Sequence, residues 1–394
     1  MPRPHFGGSV ESRFAKVEQV FRQNFADKWE AEGAAFAVYW NGKKVVDLWG
    51  GYADISCERK WEEDTLTTGF STTKSVASIC LAILIDQKLA SYDDLVIKHW
   101  PEFGKNGKEH VTINMLLGHQ AGLPYINGVT AKEDMIDHRL MSAKFEHQKP
   151  IWTPGTKTGY HVMTFGWLVD QLVRRIDPKH RSVGQFFREE IGSPYGLDYY
   201  IGMPKELHGR VARLSFIEPV RTIREAVTQP PLALMGYFFL SPLCHFHKVF
   251  KNMRWMGTSF TMYYNNPDLR ELEMPAANGV TTARDLAKIH SLISEGKLLS
   301  ESLVDTIRQP KYPKQFDWTL GFRDNKGYGF MYTKSPQGDW LIGHLGVGGQ
   351  NVKIDLKNKL AFAYLTNGMK AGAGDFTRPF MNLQKALYEC LEKK

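Results

Sequence analysis

Two places in the chain set a serine three residues ahead of a lysine: Ser71-Thr72-Thr73-Lys74 and Ser294-Glu295-Gly296-Lys297. A serine hydroxyl is a weak nucleophile until a neighbouring base takes its proton, and a lysine amine can be that base. The chemistry would be acyl transfer, in which the hydroxyl oxygen attacks a carbonyl carbon. Positions i and i+3 face the same side of a helix, so both pairs have the reach. Their surroundings separate them. After Lys74 come Val76, Ile79, Cys80, Ile83 and Leu84, an apolar stripe that predicts a centrally buried helix. Burying an ammonium is costly unless it is paired or neutral, and desolvation lowers its pKa, which suits a base. Gly296 interrupts the second pair at what reads as a helix end. A serine at a helix start also reads as an N-cap, a role that Thr72 or Thr73 fills equally well, leaving Ser71 free.

Further segments follow in order: VTINMLLGHQAGLP (111–124), TPGTKTGYHVMTFGWLVDQLV (153–173), ANGVTTARDLAKI (277–289) and GHLGVGGQ (343–350). With the Ser71 helix, their order and spacing resemble the serine β-lactamase and penicillin-binding-protein superfamily. Within it the chain is most similar to class C β-lactamases, related carboxylesterases and β-lactamase-like proteins of animals. The resemblance spans about residues 10 to 390. It implies that Ser71 is the nucleophile and Lys74 its base. Tyr160 falls on the tyrosine of the family's Y-x-N motif, and His344-Leu345-Gly346 on its third motif, K-T-G or H-x-G. The oxyanion hole would be the backbone N–H groups of Ser71 and Val347. Lys74 and Tyr160 are expected to titrate as a pair, because a charged lysine lowers a nearby phenol and a phenolate raises a nearby amine. Gly346, with Gly348 and Gly349, keeps that strand clear for a substrate.

Two positions depart from the family pattern. Val162 replaces the asparagine of Y-x-N, and His344 replaces a lysine. Both remove polar anchors for a β-lactam, so the resemblance points to esters rather than antibiotics.

The elements that must position these residues begin with Val10, Phe14, Val17, Phe21 and Phe25, whose spacing predicts an amphipathic helix. AAFAVYW and KKVVDLWGG flank Asn41-Gly42, a hairpin signal, because both turn residues tolerate positive φ. NVKIDL and KLAFAYLTN predict a second hairpin, and Phe380 to Leu391 a closing helix after Pro379. From Ser75 to about Leu299 the pattern is mostly helical. The expected fold is α/β (α+β) and β-lactamase-like: an antiparallel sheet built from both chain ends, flanked by terminal helices, with a large all-helical insert. The expected division is 1–70 with 300–394 as the sheet domain and 71–299 as the helical domain, with the active site in the cleft between.

The 394 residues carry 50 basic and 42 acidic side chains, a net charge of +8 without a run of like charge. That argues against a nucleic-acid partner. Cys57, Cys80, Cys244 and Cys390 lack paired spacing, as suits a reducing compartment. MPRPHFGGSVESRF has no apolar signal core, and the longest apolar stretch, Pro230 to Cys244, is too short to span a bilayer. A soluble cytoplasmic protein is expected. Cys244-His245-Phe246-His247 lacks the second ligand pair of a zinc site, so neither metal nor cofactor is expected. His119, in a glycine-rich turn, reads as a loop stabiliser. The aromatic stretch from Pro230 to Tyr264 reads as a cleft lining, a lid, plain core or a self-association surface.

The leading function is a serine hydrolase forming an acyl-enzyme on Ser71, an esterase on small or medium acyl esters or peptidic acyl groups. The alternatives are an acyltransferase of the same fold and a catalytically weak, self-assembling scaffold; a homo-oligomer fits either case. A buried lysine beside Ser71 has no purpose in a scaffold.

Overall fold

The computed structural model describes residues 3–216, 219–229, 232, 236, 241, 244–256 and 261–392. Much of the stretch from Pro230 to Tyr264 lies outside them.

Both chain ends build one ten-stranded antiparallel sheet. Its strands are β1 (Phe6–Val10), β2 (Gly33–Trp40), β3 (Lys43–Asp54) and β4 (Arg59–Lys60) from the amino end. From the carboxyl end come β8 (Tyr312–Phe316), β9 (Arg323–Gly327), β10 (Phe330–Lys334), β11 (Trp340–Leu345), β12 (Asn351–Asp355) and β13 (Leu360–Thr366). The order is β1-β3-β2-β13-β12-β11-β10-β9-β8, with β4 against β3. The halves join where β2 pairs with β13, from Gly33-side Ala34↔Thr366 to Trp40↔Leu360. Both expected hairpins form, and Asn41 and Gly42 take φ of 50° and 77° as a two-residue turn requires.

Side chains alternate across a strand, and β2 divides its residues accordingly. Ala34, Phe36 and Val38 face a core closed by the terminal helices Ala15–Ala26 and Arg378–Glu392. Ala35, Ala37 and Tyr39 face the larger core beneath the helices of the insert. Helix Ala283–Ser294 lies directly against β2, β12 and β13 on that second face. The buried helix Thr73–Asp86 packs against helix Thr164–Ile176 and the β10 and β11 strands.

The amino end differs from the expectation of a helix starting near Val10. Phe6–Val10 is instead an edge strand paired with β3 from Phe6↔Gly50 to Val10↔Val46, and the helix starts at Ala15. Gly8 makes this possible: its φ is +120°, and a Cβ there would fall 2.0 Å from the Asp47 carbonyl. The strand lets Phe6 pack edge-on against Phe25 at 5.1 Å.

The insert is mostly helical but not all-helical as expected, because a further small sheet orders it. Strands β5 (Thr67–Thr68), β6 (Tyr199–Tyr200) and β7 (Val280–Thr281) pair in the order β5-β7-β6. It ties the residues just before Ser71 to the 276–281 segment. No helix among the described residues is long and apolar enough to cross a membrane.

Candidate active site

Ser71 sits in a single 3-10 turn, Phe70–Thr72, between β5 and the Thr73–Asp86 helix. The turn is sharp because Phe70 takes φ of +46°, a region that costs a bulky residue about 1–3 kcal/mol. Surrounding contacts hold it there. The Phe70 ring meets Tyr264 edge-on at 5.0 Å. The Thr72 and Thr73 hydroxyls donate back to the Gly69 and Phe70 carbonyls at 2.9 and 2.6 Å. The Gly279 N–H donates to the Thr73 hydroxyl at 2.9 Å, bracing the turn from across the small sheet. The helix N-cap is Thr72, whose side chain makes no capping bond. Ser71 therefore does no capping and is partly open to solvent.

Lys74 has no exposed surface. Its Nζ donates to the Ser71 hydroxyl at 3.1 Å and to the Ala276 carbonyl at 2.8 Å. Among the described residues no carboxylate forms an ion pair with it. Burial alone holds its amine well below the usual 10.5, which favours the neutral form that a base needs. The Ala276 carbonyl is set by Asn278, whose amide accepts from the Met274 N–H at 3.1 Å and donates to the Leu269 carbonyl at 3.1 Å.

Ser294 and Lys297 differ in every respect. Ser294 donates to the Ser291 carbonyl at 2.8 Å, and exposed Lys297 pairs with Glu295 at 2.7 Å, which raises its pKa.

The Tyr160 ring lies beneath the lysine, with Nζ 4.8 Å from its centroid. Burial pushes the phenol above its ordinary value, partly countered by the Ser71 hydroxyl, and its oxygen has no hydrogen-bond partner of good geometry among the described residues. Burial favours the neutral form of both groups. An unprotonated amine and a protonated phenol are what a base and an acid need at rest.

A buried charge cluster anchors Tyr160. Asp317 accepts from the Tyr160, Thr319 and Leu320 N–H groups at 3.0, 2.8 and 2.8 Å and from Lys326 at 2.7 Å. Lys326 also bonds Asp324. Burial opposes the Asp317 charge, but Lys326 and the N–H donors outweigh it and hold the carboxyl below its usual range. Burial lifts Asp324 to about 6. These residues have no motif spacing, so the sequence carries no signal for them.

Histidines complete the walls. The His119 ring lies tilted against that of Tyr160 at 4.9 Å, and its Nδ1 accepts the His161 N–H at 3.0 Å. His161 in turn donates from Nδ1 to the Gly159 carbonyl at 2.6 Å and accepts the Leu123 N–H at 3.1 Å. His119 thus stabilises its loop, as expected, and also supports the Tyr160 segment. His344 is buried with its ring 5.9 Å from that of Tyr160. Burial depresses all three imidazoles, His161 to about 4 and the others well below their usual value.

Ser71, Lys74, Tyr160 and His344 therefore form one cluster. Gly346 presses against the turn, where a Cβ would lie 2.7 Å from the Gly69 carbonyl. Val347 is half-buried and bridges antiparallel to Ala373. Val162 is buried in the apolar core and presents no amide. Among the described residues no group of His, Cys, Asp and Glu could hold a metal ion.

Known proteins match this chain over most of its length. The family model described as Beta-lactamase matches residues 21–385. Esterase/beta-lactamase LipL of Mycobacterium tuberculosis is 32% identical over 370 residues, covering 91% of this chain and 82% of that protein. The crystal structure of a family VIII carboxylesterase superposes with a TM-score of 0.81 at 30% identity, covering 98% of this chain and 100% of the other. A penicillin-binding protein homolog from Caulobacter crescentus gives a TM-score of 0.81 at 31% identity, with the same 98% and 100% coverage.

Proposed function

The chain belongs to the beta-lactamase family and is a serine hydrolase of the esterase kind, and from that premise we propose that Ser71 is its nucleophile, with Lys74 and Tyr160 as base and acid. The observation that carries this reading is the isolation of Lys74: a fully buried amine whose side-chain partner is the Ser71 hydroxyl. Ser71 Oγ attacks the ester carbonyl while its proton passes to Lys74 Nζ. The backbone N–H groups of Ser71 and Val347 would hold the oxyanion, each worth about 3 kcal/mol. The neutral Tyr160 phenol gives its proton to the leaving oxygen; water then attacks the acyl carbon, its proton passing to Tyr160 while Lys74 returns one to Ser71 Oγ as the acid departs. The cleft between the sheet and the helical insert (71–299 against the two chain ends) would admit the substrate. The place of work would be the cytoplasm.

Buried Val162 presents no amide to a β-lactam's side chain and neutral His344 no charge to its carboxylate, which favours neutral esters of small or medium acyl groups. A fluorophosphonate probe tests the assignment. It should label the wild type and leave Ser71→Ala unlabelled; equal labelling of both would refute it.

A further inference from the structure

The cluster contains a second buried polar atom without a partner. Tyr160 Oη and His344 Nε2 are both sealed from solvent, neither has a hydrogen-bond partner of good geometry among the described residues, and they sit on rings 5.9 Å apart. The proton on His344 can be placed. Its Nδ1 lies 2.7 Å from the Leu345 carbonyl, which can only accept, so Nδ1 carries the hydrogen. In the neutral ring Nε2 is then a bare lone pair. Nearby cations do not reach it: Lys326 is held by Asp317 at 2.7 Å and Lys353 by Asp375 at 2.7 Å. A buried acceptor left unmatched is a substantial penalty, and a site built to hydrogen-bond a substrate group rejects analogues that lack it.

We propose that His344 Nε2 reads a hydroxyl (or N–H) donor on the alcohol half of the ester, so that the preferred substrates are esters of diols or other hydroxylated alcohols rather than of plain alkyl alcohols. The placement rests on the reading of Tyr160 as the donor to the leaving oxygen. A group hydrogen-bonded to the adjoining ring is then a few bonds from that oxygen, on the leaving side. The reaction balances as before. Ser71 takes the acyl group, the C–O bond to the diol breaks, and the departing oxygen receives the proton while the second hydroxyl stays on His344.

The test is a matched pair, 2-hydroxyethyl butyrate and propyl butyrate, alike in size and differing in one donor. Wild type should favour the hydroxylated ester by about tenfold or more in kcat/KM, the scale set by one unmatched buried acceptor. His344→Phe should bring the ratio close to one, and His344→Gln, whose amide oxygen can stand in for Nε2, should restore part of it. The ratio is internal to each variant, so an overall loss of rate does not disturb it, and wild type and the glutamine variant suffice where the phenylalanine variant fails to fold. A wild-type ratio near one would overturn the proposal. So would a His344→Phe variant that slows both esters equally, since that would make the histidine a support for Tyr160. Failure of the nucleophile assignment would show separately, as probe labelling that survives Ser71→Ala.

Discussion

Lys74 approaches Tyr160 through the face of its ring, with Nζ 4.8 Å from the centroid, and donates to Ser71 and the Ala276 carbonyl instead of the phenol oxygen. The two groups are therefore near neighbours without a direct hydrogen bond, each kept neutral by burial. Proton traffic between them must pass through Ser71 or the substrate.

Removing the nucleophile should separate the two serine–lysine pairs. Ser71→Ala should abolish turnover of p-nitrophenyl butyrate with little change in thermal midpoint. Ser294→Ala should retain full activity, because Ser294 only closes a helix end. Equal losses would contradict the assignment.

Lys74 and Tyr160 should behave as one unit. Lys74→Ala and Tyr160→Phe should each cost about a hundredfold or more in kcat/KM, with the double variant little worse than either single one. Additive losses would show that they do not serve one proton transfer.

Stability should respond to Lys74 in the opposite sense from activity. Its folded value lies below the usual 10.5, so between the two values the unfolded chain binds the extra proton. Stability then rises with pH through that window and is lower at neutral pH than it would be without the amine. Lys74→Met should keep or raise the midpoint at pH 7 and flatten its climb towards pH 10. A steep fall in stability would mean that the lysine is a charged structural partner.

Substrate choice follows from the walls of the site. With no charged imidazole and with Val162 buried, p-nitrophenyl butyrate should be hydrolysed well ahead of nitrocefin. Comparable efficiencies on both would contradict this.

Breaking the buried charge cluster should cost fold and function together. Asp317→Ala leaves Lys326 with Asp324 alone and frees the Tyr160 N–H. Orphaning a buried pair typically costs about 3–5 kcal/mol, readable as a shift in the denaturation midpoint. An unchanged midpoint would show that Lys326 finds another partner.

What the sequence revealed depended on whether a local signal existed. Asn41-Gly42 announced its hairpin because the turn chemistry resides in those two residues. The Ser71–Lys74 pair stood out because a lysine heads an apolar stripe. Phe6–Val10 misled because Val10 and Phe14 mimic a helical spacing while the pairing partner, β3, lies some forty residues on (Val10↔Val46). The Asp317–Lys326 cluster and the Ala276 carbonyl were invisible for a different reason. The first is ordinary charged residues joined only by the fold, and the second is backbone, which every residue has. Phe70 gave no warning either, since a left-handed aromatic is imposed by its neighbours.

The pairing of β2 with β13 has a consequence for how the protein is made. Ala37 meets Ala363 across that pair, so the second strand to leave the ribosome waits for the last. At roughly 5–20 residues per second that wait is tens of seconds. During it β2, apolar on both faces, has no native neighbour on its β13 edge and depends on β3 and the amino-terminal helix, or on a chaperone, for cover. A chain cut short before Leu360 would never gain that neighbour, and its open edge would invite pairing with other chains.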